Sequence, residues 1–268
     1  MSLPKISVVT PSYNQSEFIE QNLQSICEQS YDNVEHIVVD GGSNDGTVDI
    51  LREYEDQYDL RWVSESDRGQ THALNKGIEM ATGDWIGWQN SDDYYLPEAF
   101  DHVVSALSSA TEADAVYGDL LIVDESGNEI SRKFTTRPSK FVQRYWSLFA
   151  NNQSLFVRAD ILDSIVPLDE ELTFTMDAEL MWQLLDGGYE LVHIPEKLGA
   201  FRIQEDAKTY SVTDENQRAE LDTIYDHPWY ERFVPLPVLE NMAKVAKFCL
   251  LVREGHHESL RYNLRQRL

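Results

Sequence analysis

Short apolar runs alternate with helical spacings through residues 1–110. Ile6, Val8 and Val9 form a strand that ends in Thr10-Pro11-Ser12-Tyr13-Asn14. Ile19, Leu23 and Ile26 then recur at helical spacing, and Asn14 with Glu17 three residues on has the form of a capping box. Val34 to Val39 is a second strand. It runs into DGGSNDGT, whose glycines and Asn/Asp residues call for a turn with positive φ. Thr47 to Tyr54 is helical, Leu60 to Val63 is a strand, and 70–81 is a helix ending near Gly83. Asp84 to Gln89 is the fourth strand and 97–108 the next helix. Four strand–helix units with short connections predict a parallel sheet with right-handed crossovers.

After Asp114 the rhythm changes. DAVYGDLLIVD and EISRKF read as a hairpin about ESGN, and FVQRYWSLF as a helix. NQSLFVRADIL starts as a strand, and MDAELMWQLLDGG is a helix stopped by Gly187 and Gly188. YELVHIP and LGAFRI read as two further strands, and the last fifty residues as helical. The prediction is an α/β domain over 1–215, with a mostly parallel, Rossmann-like half (1–110) and a mixed half (111–215). A helical C-terminal extension over 216–268 follows.

Composition narrows the class. Of 268 residues, 42% are hydrophobic and 26% charged, as in a soluble globular protein. No apolar run is long enough to span a bilayer, and the N-terminus enters a strand without a secretory signal, so a cytoplasmic protein is expected. Cys27 and Cys249 make neither a disulfide framework nor a metal cluster, and Cys27 is expected to be a buried thiol. The net charge of −25, from 47 acidic and 22 basic side chains, makes nucleic acid an improbable partner. An acid-rich, Lys-poor surface fits work in high salt, where screening relaxes self-repulsion. The charge is uneven. Residues 236–268 carry six basic and three acidic side chains, a net of +3, so the other 235 residues carry −28. That amphipathic, basic segment is expected to pack on the acidic body or on a second subunit; contact with an anionic membrane at its cytoplasmic face is the lesser reading.

In open α/β sheets ligands bind beyond the carboxyl ends of the strands. Here those ends are polar: Thr10, Pro11 and Tyr13; Asp40; Glu65, Asp67 and Arg68; Asn90, Asp92 and Asp93. Converging, they would make one acidic pocket. The adjacent pair Asp92-Asp93 follows a bulky apolar strand, and like charges that close repel unless water or a cation separates them. A solvated turn and a metal both answer that pattern.

SVVTPSYNQSEFIEQNLQSICEQSYDNVEHIVVDGGSNDGT, SESDRGQTHALNKGIEMATGDWIGWQNSDD and FTMDAELMWQL together resemble the inverting glycosyltransferase family two, which has the GT-A fold. The similarity covers about residues 4–212 in consistent order. The resemblance implies a nucleotide-diphosphate sugar donor, linked to UDP, GDP or dTDP, and a glycan or lipid-linked acceptor. Thr10, Pro11, Tyr13 and Asp40 would hold the nucleoside, with Asp67 and Arg68 beside the nucleotide or diphosphate. SDD stands where the family has its DxD-type motif. Asp93 is thereby read as the direct ligand of Mg²⁺ or Mn²⁺, and Asp92 as a contact to the ribose or to metal-bound water. Asp177, at the start of the MDAEL helix, would be the general base that deprotonates the acceptor hydroxyl, with Glu179 in a supporting or capping role.

Gln153 and Asp119 are candidate acceptor-side residues, equally readable as buried and satisfied polar groups. Arg202 and Lys208 are candidate phosphate contacts. The closing segment LGAFRIQEDAKTYS departs from the family pattern, since Gln204 stands where a His often follows the Arg by two residues. Two other classes compete: a nucleotidyltransferase, and a non-catalytic binder of sugars or nucleotide sugars. The first usually carries a Gly-rich basic loop near its N-terminus, where this chain has TPSYNQSE. The second has no need of an Asp93–Asp177 pair.

Overall fold

The computed structural model describes residues 3–204 and 214–255. In it the four apolar runs of the N-terminal half are β1 (Ile6–Ser12), β2 (Val34–Asp40), β3 (Leu60–Ser64) and β4 (Trp85–Trp88). They are parallel, in the order β3-β2-β1-β4. β1 pairs with β2 from Ile6–Val34 to Ser12–Asp40, which brings their carboxyl ends level on one edge. Every residue of β1 is buried, as a strand covered on both faces must be. The covering helices are α1 (Ile19–Cys27), α2 (Thr47–Tyr54) and α3 (Gln70–Met80). Ile19 and Leu23 pack with Val38, Leu51 and Leu60, while Leu74 and Ile78 of α3 pack with Val9 on the opposite face. α3 lies close because Gly77 has no side chain; a Cβ there would stand 2.4 Å from Val9 Cγ1.

The expected capping box is absent. Asn14 adopts a left-handed backbone (φ 51°), and its Oδ1 accepts a bond from Asn44 N across the DGGSNDGT turn. The helix begins five residues later, at Ile19.

The second half extends the same sheet. After the two-residue strand β5 (Tyr94–Tyr95) and α4 (Ala99–Ser109) come β6 (Ala115–Val123) and β7 (Glu129–Lys133), the expected hairpin. β8 (Leu155–Arg158) runs antiparallel between β4 and β6. The two strands expected late in the chain are one, β9 (Leu191–Arg202), parallel to β6 and antiparallel to β5. Its register jumps from Gly118–Ile194 to Asp119–Lys197, and Pro195 stands in the skipped stretch. A proline without an N–H is tolerated at such an irregularity, so the strand continues through it. Gly199 is required farther along β9, because a Cβ would fall 2.2 Å from Gln153 O.

The helices of this half are α5 (Lys140–Tyr145), α6 (Ala159–Ile165) and α7 (Met176–Asp186). α5 ends at Tyr145, short of the helix expected to reach Phe149. α8 (Asp214–Ile224) meets α7 through Trp182 and Tyr225, whose rings are 4.7 Å apart. α9 (Leu236–Arg253) buries Leu239 and Ala243 against Tyr145 of α5. Cys27 is only half-buried and Cys249 is exposed; both are free thiols. Among the described residues no helix is long and apolar enough to cross a membrane.

Candidate active site

The carboxyl ends of β1 to β4 converge on a cleft of about 530 Å³. β1 and the loop after it contribute Pro11, Ser12, Tyr13 and Gln15. Gly41 follows β2, and Ser66, Asp67, Gly69 and Gln70 lead from β3 into α3. Asn90, Ser91 and Asp92 follow β4, and Phe201, Arg202 and Gln204 enter from the end of β9. Tyr13 is 59% exposed at the mouth, so its ring is available to stack on a planar ligand. Asp67 is pinned by Gly69 N, 2.8 Å from its Oδ1, and lies flat on Gly41; a Cβ there would come 2.8 Å from Asp67 Oδ2.

The two adjacent carboxylates face opposite ways. Asp92 lines the cleft, and its Oδ2 accepts a 2.8 Å bond from Gln204 Nε2. Asp93 is 1% exposed. It accepts bonds from Arg202 N (2.8 Å), Gln153 Nε2 (2.7 Å) and Asn90 Nδ2 (3.2 Å). Burial, and next the neighbouring Asp92 charge, push the Asp93 carboxyl well above the usual range. Asp93, expected to ligate a metal, has its oxygens turned into the protein in this structure, where they join the β4 turn to β9 and the Asn152–Ser154 turn. Asn90, which sequence reasoning left aside, accepts bonds from Trp88 Nε1 and Gln70 Nε2, both 2.9 Å, and stands in the cleft.

Asp40, expected at the nucleoside, is also turned inward in this structure. It is fully buried, and it accepts bonds from Gly42 N (3.1 Å), Ser43 N (2.9 Å), Ser64 Oγ (2.6 Å) and Ser43 Oγ. It builds the Asx turn after β2 instead of facing the cleft. Thr10 lies beneath the floor, 2.9 Å from Nε2 of the buried His36. Burial drives that imidazole down to about 3, so it stays neutral. Asp45 shapes its turn as expected, accepting from Ser16 N and from Thr47 N and Oγ1. Arg68 turns away from the cleft into a two-bond pair with Glu170 (2.7 and 2.8 Å).

Arg202 reaches the cleft wall but is 3% exposed. Its guanidinium donates to Asp92 O, to Glu125 O and to Gln21 Oε1, between the rings of Phe18 and Tyr94. That makes it a clamp on the loops around the site, where a phosphate contact was expected. Asp119 accepts from Thr135 N and Oγ1 (both 2.9 Å) and lies 3.2 Å from His193 Nε2. It is 6% exposed and pins β6 to the start of the next loop and to β9, so an acceptor-side role is not what its geometry serves. Gln153 is 2% exposed and serves Asp93. Glu179 accepts from Asp169 N (3.0 Å) and Gln183 Nε2 (3.2 Å). Lys208 lies outside the described residues.

Asp177 sits in the first turn of α7, away from the residues that line the cleft. Its Oδ1 accepts from Ala178 N at 2.8 Å. Burial raises its pKa, against the Ala178 N–H and the positive charge of Lys133 on β7. Tyr225, just past the end of α8, lies within its field as well. A carboxylate so placed has few hydrogen-bond donors of its own, which keeps it basic.

Among the described residues, no group of three or more His, Cys, Asp or Glu side chains gathers as a metal site. At the β4 turn the described residues bring the Asp92 carboxylate to the cleft wall, with the amide of Gln204 bonded to it. That donor set fits Mg²⁺ or Mn²⁺ held chiefly by substrate phosphates and water, with one carboxylate from the protein. It does not fit an all-protein cage.

Known proteins share this arrangement. The family model for glycosyl transferase family 2 matches residues 7–164. The glycosyltransferase AglE of Haloferax volcanii is 28% identical over 204 residues, 74% of this chain and 67% of that protein. An uncharacterized glycosyltransferase of Rickettsia felis is 31% identical over 130 residues, but the match spans only 21% of its length. The mannosyltransferase PcManGT of Pyrobaculum calidifontis, solved with GDP-Man and Mn²⁺, superposes with a TM-score of 0.63 at 18% identity, covering 99% of this chain and 83% of that one. S. aureus TarS 1–349, solved with UDP-GlcNAc, superposes with a TM-score of 0.62 at 19% identity, covering 78% and 61%. The sheet order, the polar strand ends and the NSDD turn thus occur in a GT-A fold, and the chain belongs to glycosyl transferase family 2.

Proposed function

We propose that this protein transfers a sugar from a nucleoside-diphosphate sugar to an acceptor hydroxyl with inversion at the anomeric carbon. The observation that carries the reading is the cleft at the ends of four parallel strands, with Asp92 facing in and Asp93 locked behind it. The nucleoside lies along Tyr13 and Asp67, where an aromatic face and a fixed carboxylate are at hand. Asp92, with the Gln204 amide bonded to it, would hold a divalent cation. When bound, that cation neutralises the diphosphate and favours its departure.

The chain's own work is positioning and proton transfer. Asp177 takes the proton of the acceptor hydroxyl as its oxygen attacks the anomeric carbon. The new C–O bond forms while the bond to the diphosphate oxygen breaks on the opposite side, and the nucleoside diphosphate leaves. One base and one displacement invert the centre and need no covalent enzyme intermediate. The family neighbours were solved with UDP-GlcNAc and with GDP-Man, which supports a uridine or guanosine donor. The acceptor is a glycan or a lipid-linked sugar, met in the cytoplasm or at the inner face of the membrane.

A panel of UDP-, GDP- and dTDP-sugars, each with and without Mn²⁺, tests this by thermal shift. Specific binding raises the melting temperature by about RT ln(1 + [L]/Kd) of added stability. A metal-dependent rise for one nucleotide class is the expected result. No rise with any member of the panel, in both low and molar salt, overturns the reading.

A further inference from the structure

α9 is apolar on both sides. Leu239, Ala243 and Leu251 point into the protein, the first two against Tyr145. The opposite side shows Val238 (46% exposed), Met242 (53%), Val245 (62%), Phe248 (53%) and Val252 (40%), with Cys249 also exposed. Among the described residues that outward side is left exposed, and an apolar helix face calls for a partner.

We propose that the outward face of α9 packs against the same face of a second copy of this chain. Three observations select that occupant. Val238, Met242, Val245, Cys249 and Val252 follow one another at steps of 4, 3, 4 and 3 residues, within an arc of about 80° at 100° per residue. That is the seam a partner helix fits by side-chain interdigitation; a flat bilayer does not select such spacing. The second is area. The stripe exposes on the order of 500 Å², more than half of the roughly 800 Å² per partner of a stable dimer. The third is charge. Residues 236–255 carry three basic and two acidic side chains, a net of +1, while residues 1–235 carry −28, so two acidic bodies approach at least cost through this helix. Lys244, whose ammonium lies 4.2 Å from the Trp146 ring centroid, borders the stripe. An anionic leaflet, in contrast, repels the body as a whole.

Sedimentation velocity in dilute and molar KCl, up to about 100 μM protein, reads the assembly directly, because a dimer's population follows concentration. The expected result is a dimer that tightens with salt. Val245→Glu places a charge at the most exposed point of the stripe and should weaken it by about 30-fold or more, with an unchanged melting temperature for the monomer. Val245→Leu should retain the dimer. A wild type monomeric at every concentration and salt overturns the proposal, as does a Val245→Glu dimer of wild-type affinity. Co-sedimentation of a monomeric wild type with phosphatidylglycerol vesicles, lost in Val245→Glu, also overturns it and assigns the face to lipid. None of these readouts depends on donor binding or transfer.

Discussion

Replacing the two adjacent carboxylates one at a time should give opposite phenotypes. Asp93→Ala removes the acceptor for three buried donors, Arg202 N, Gln153 Nε2 and Asn90 Nδ2. Each buried donor left unpaired costs roughly 1–3 kcal/mol, so with partial re-pairing the loss is about 3–6 kcal/mol. That is a large part of the 5–15 kcal/mol typical of a whole domain. At about 2–4 °C per kcal/mol for a chain of this size, the melting temperature should fall by at least about 6 °C. Asp92→Ala loses a bond from Gln204 at the cleft wall and relieves the repulsion that raises the Asp93 pKa, so its stability should change by about 1 kcal/mol or less. Its calorimetric affinity for a nucleoside diphosphate should lose its dependence on Mn²⁺. The assay pairs thermal unfolding of both variants with titrations in Mn²⁺ and in EDTA, below both melting temperatures. An Asp93→Ala protein as stable as wild type but blind to Mn²⁺ would refute the reasoning, and so would an Asp92→Ala protein with full Mn²⁺-dependent affinity.

Asp177→Asn keeps the shape of the side chain and removes its basicity; it should retain donor and metal affinity while transfer falls by about 10²–10⁴-fold, measured with the true donor and acceptor or with donor hydrolysis as a surrogate. Lys133→Met removes a charge that lowers the Asp177 pKa against burial. The base works only when deprotonated, so the acid limb of the kcat/KM profile should move to higher pH; a limb that stays or moves down separates Asp177 from the proton transfer. The net charge of −25 should make thermal stability climb between dilute and molar KCl as screening reduces self-repulsion, and a flat melting temperature over that range would leave the acidic surface without this explanation.

The N-terminal half was legible because its strands are buried on both faces and end abruptly in polar turns. α2 and α3 begin where the spacing placed them, at Thr47 and Gln70. What escaped was decided by long-range pairing. Asn14 looks like a cap from its neighbours in sequence, but its carbonyl is taken by Asn44, thirty residues away. Pro195 looks like a strand terminus, yet β6 continues past it and carries β9 along in a shifted register.

The same limit governs the site. The chain signals carboxylates at the ends of strands, but a carboxylate at a strand end has two directions open to it. Which direction it takes is decided by the groups that other elements bring to it. Asp40 and Asp93 face inward because hydroxyls, amides and backbone N–H groups from other elements converge on them; Asp67 and Asp92 face the cleft. In the NSDD turn Asn90, Ser91 and Asp92 all line the cleft. The odd one out is Asp93, whose partners Gln153 and Arg202 come from 60 and 109 residues downstream. A turn held by such distant partners forms only when the mixed half of the sheet is in place. Asp92, at the cleft wall, is therefore positioned by β9 and the Asn152–Ser154 turn as much as by the strand that precedes it.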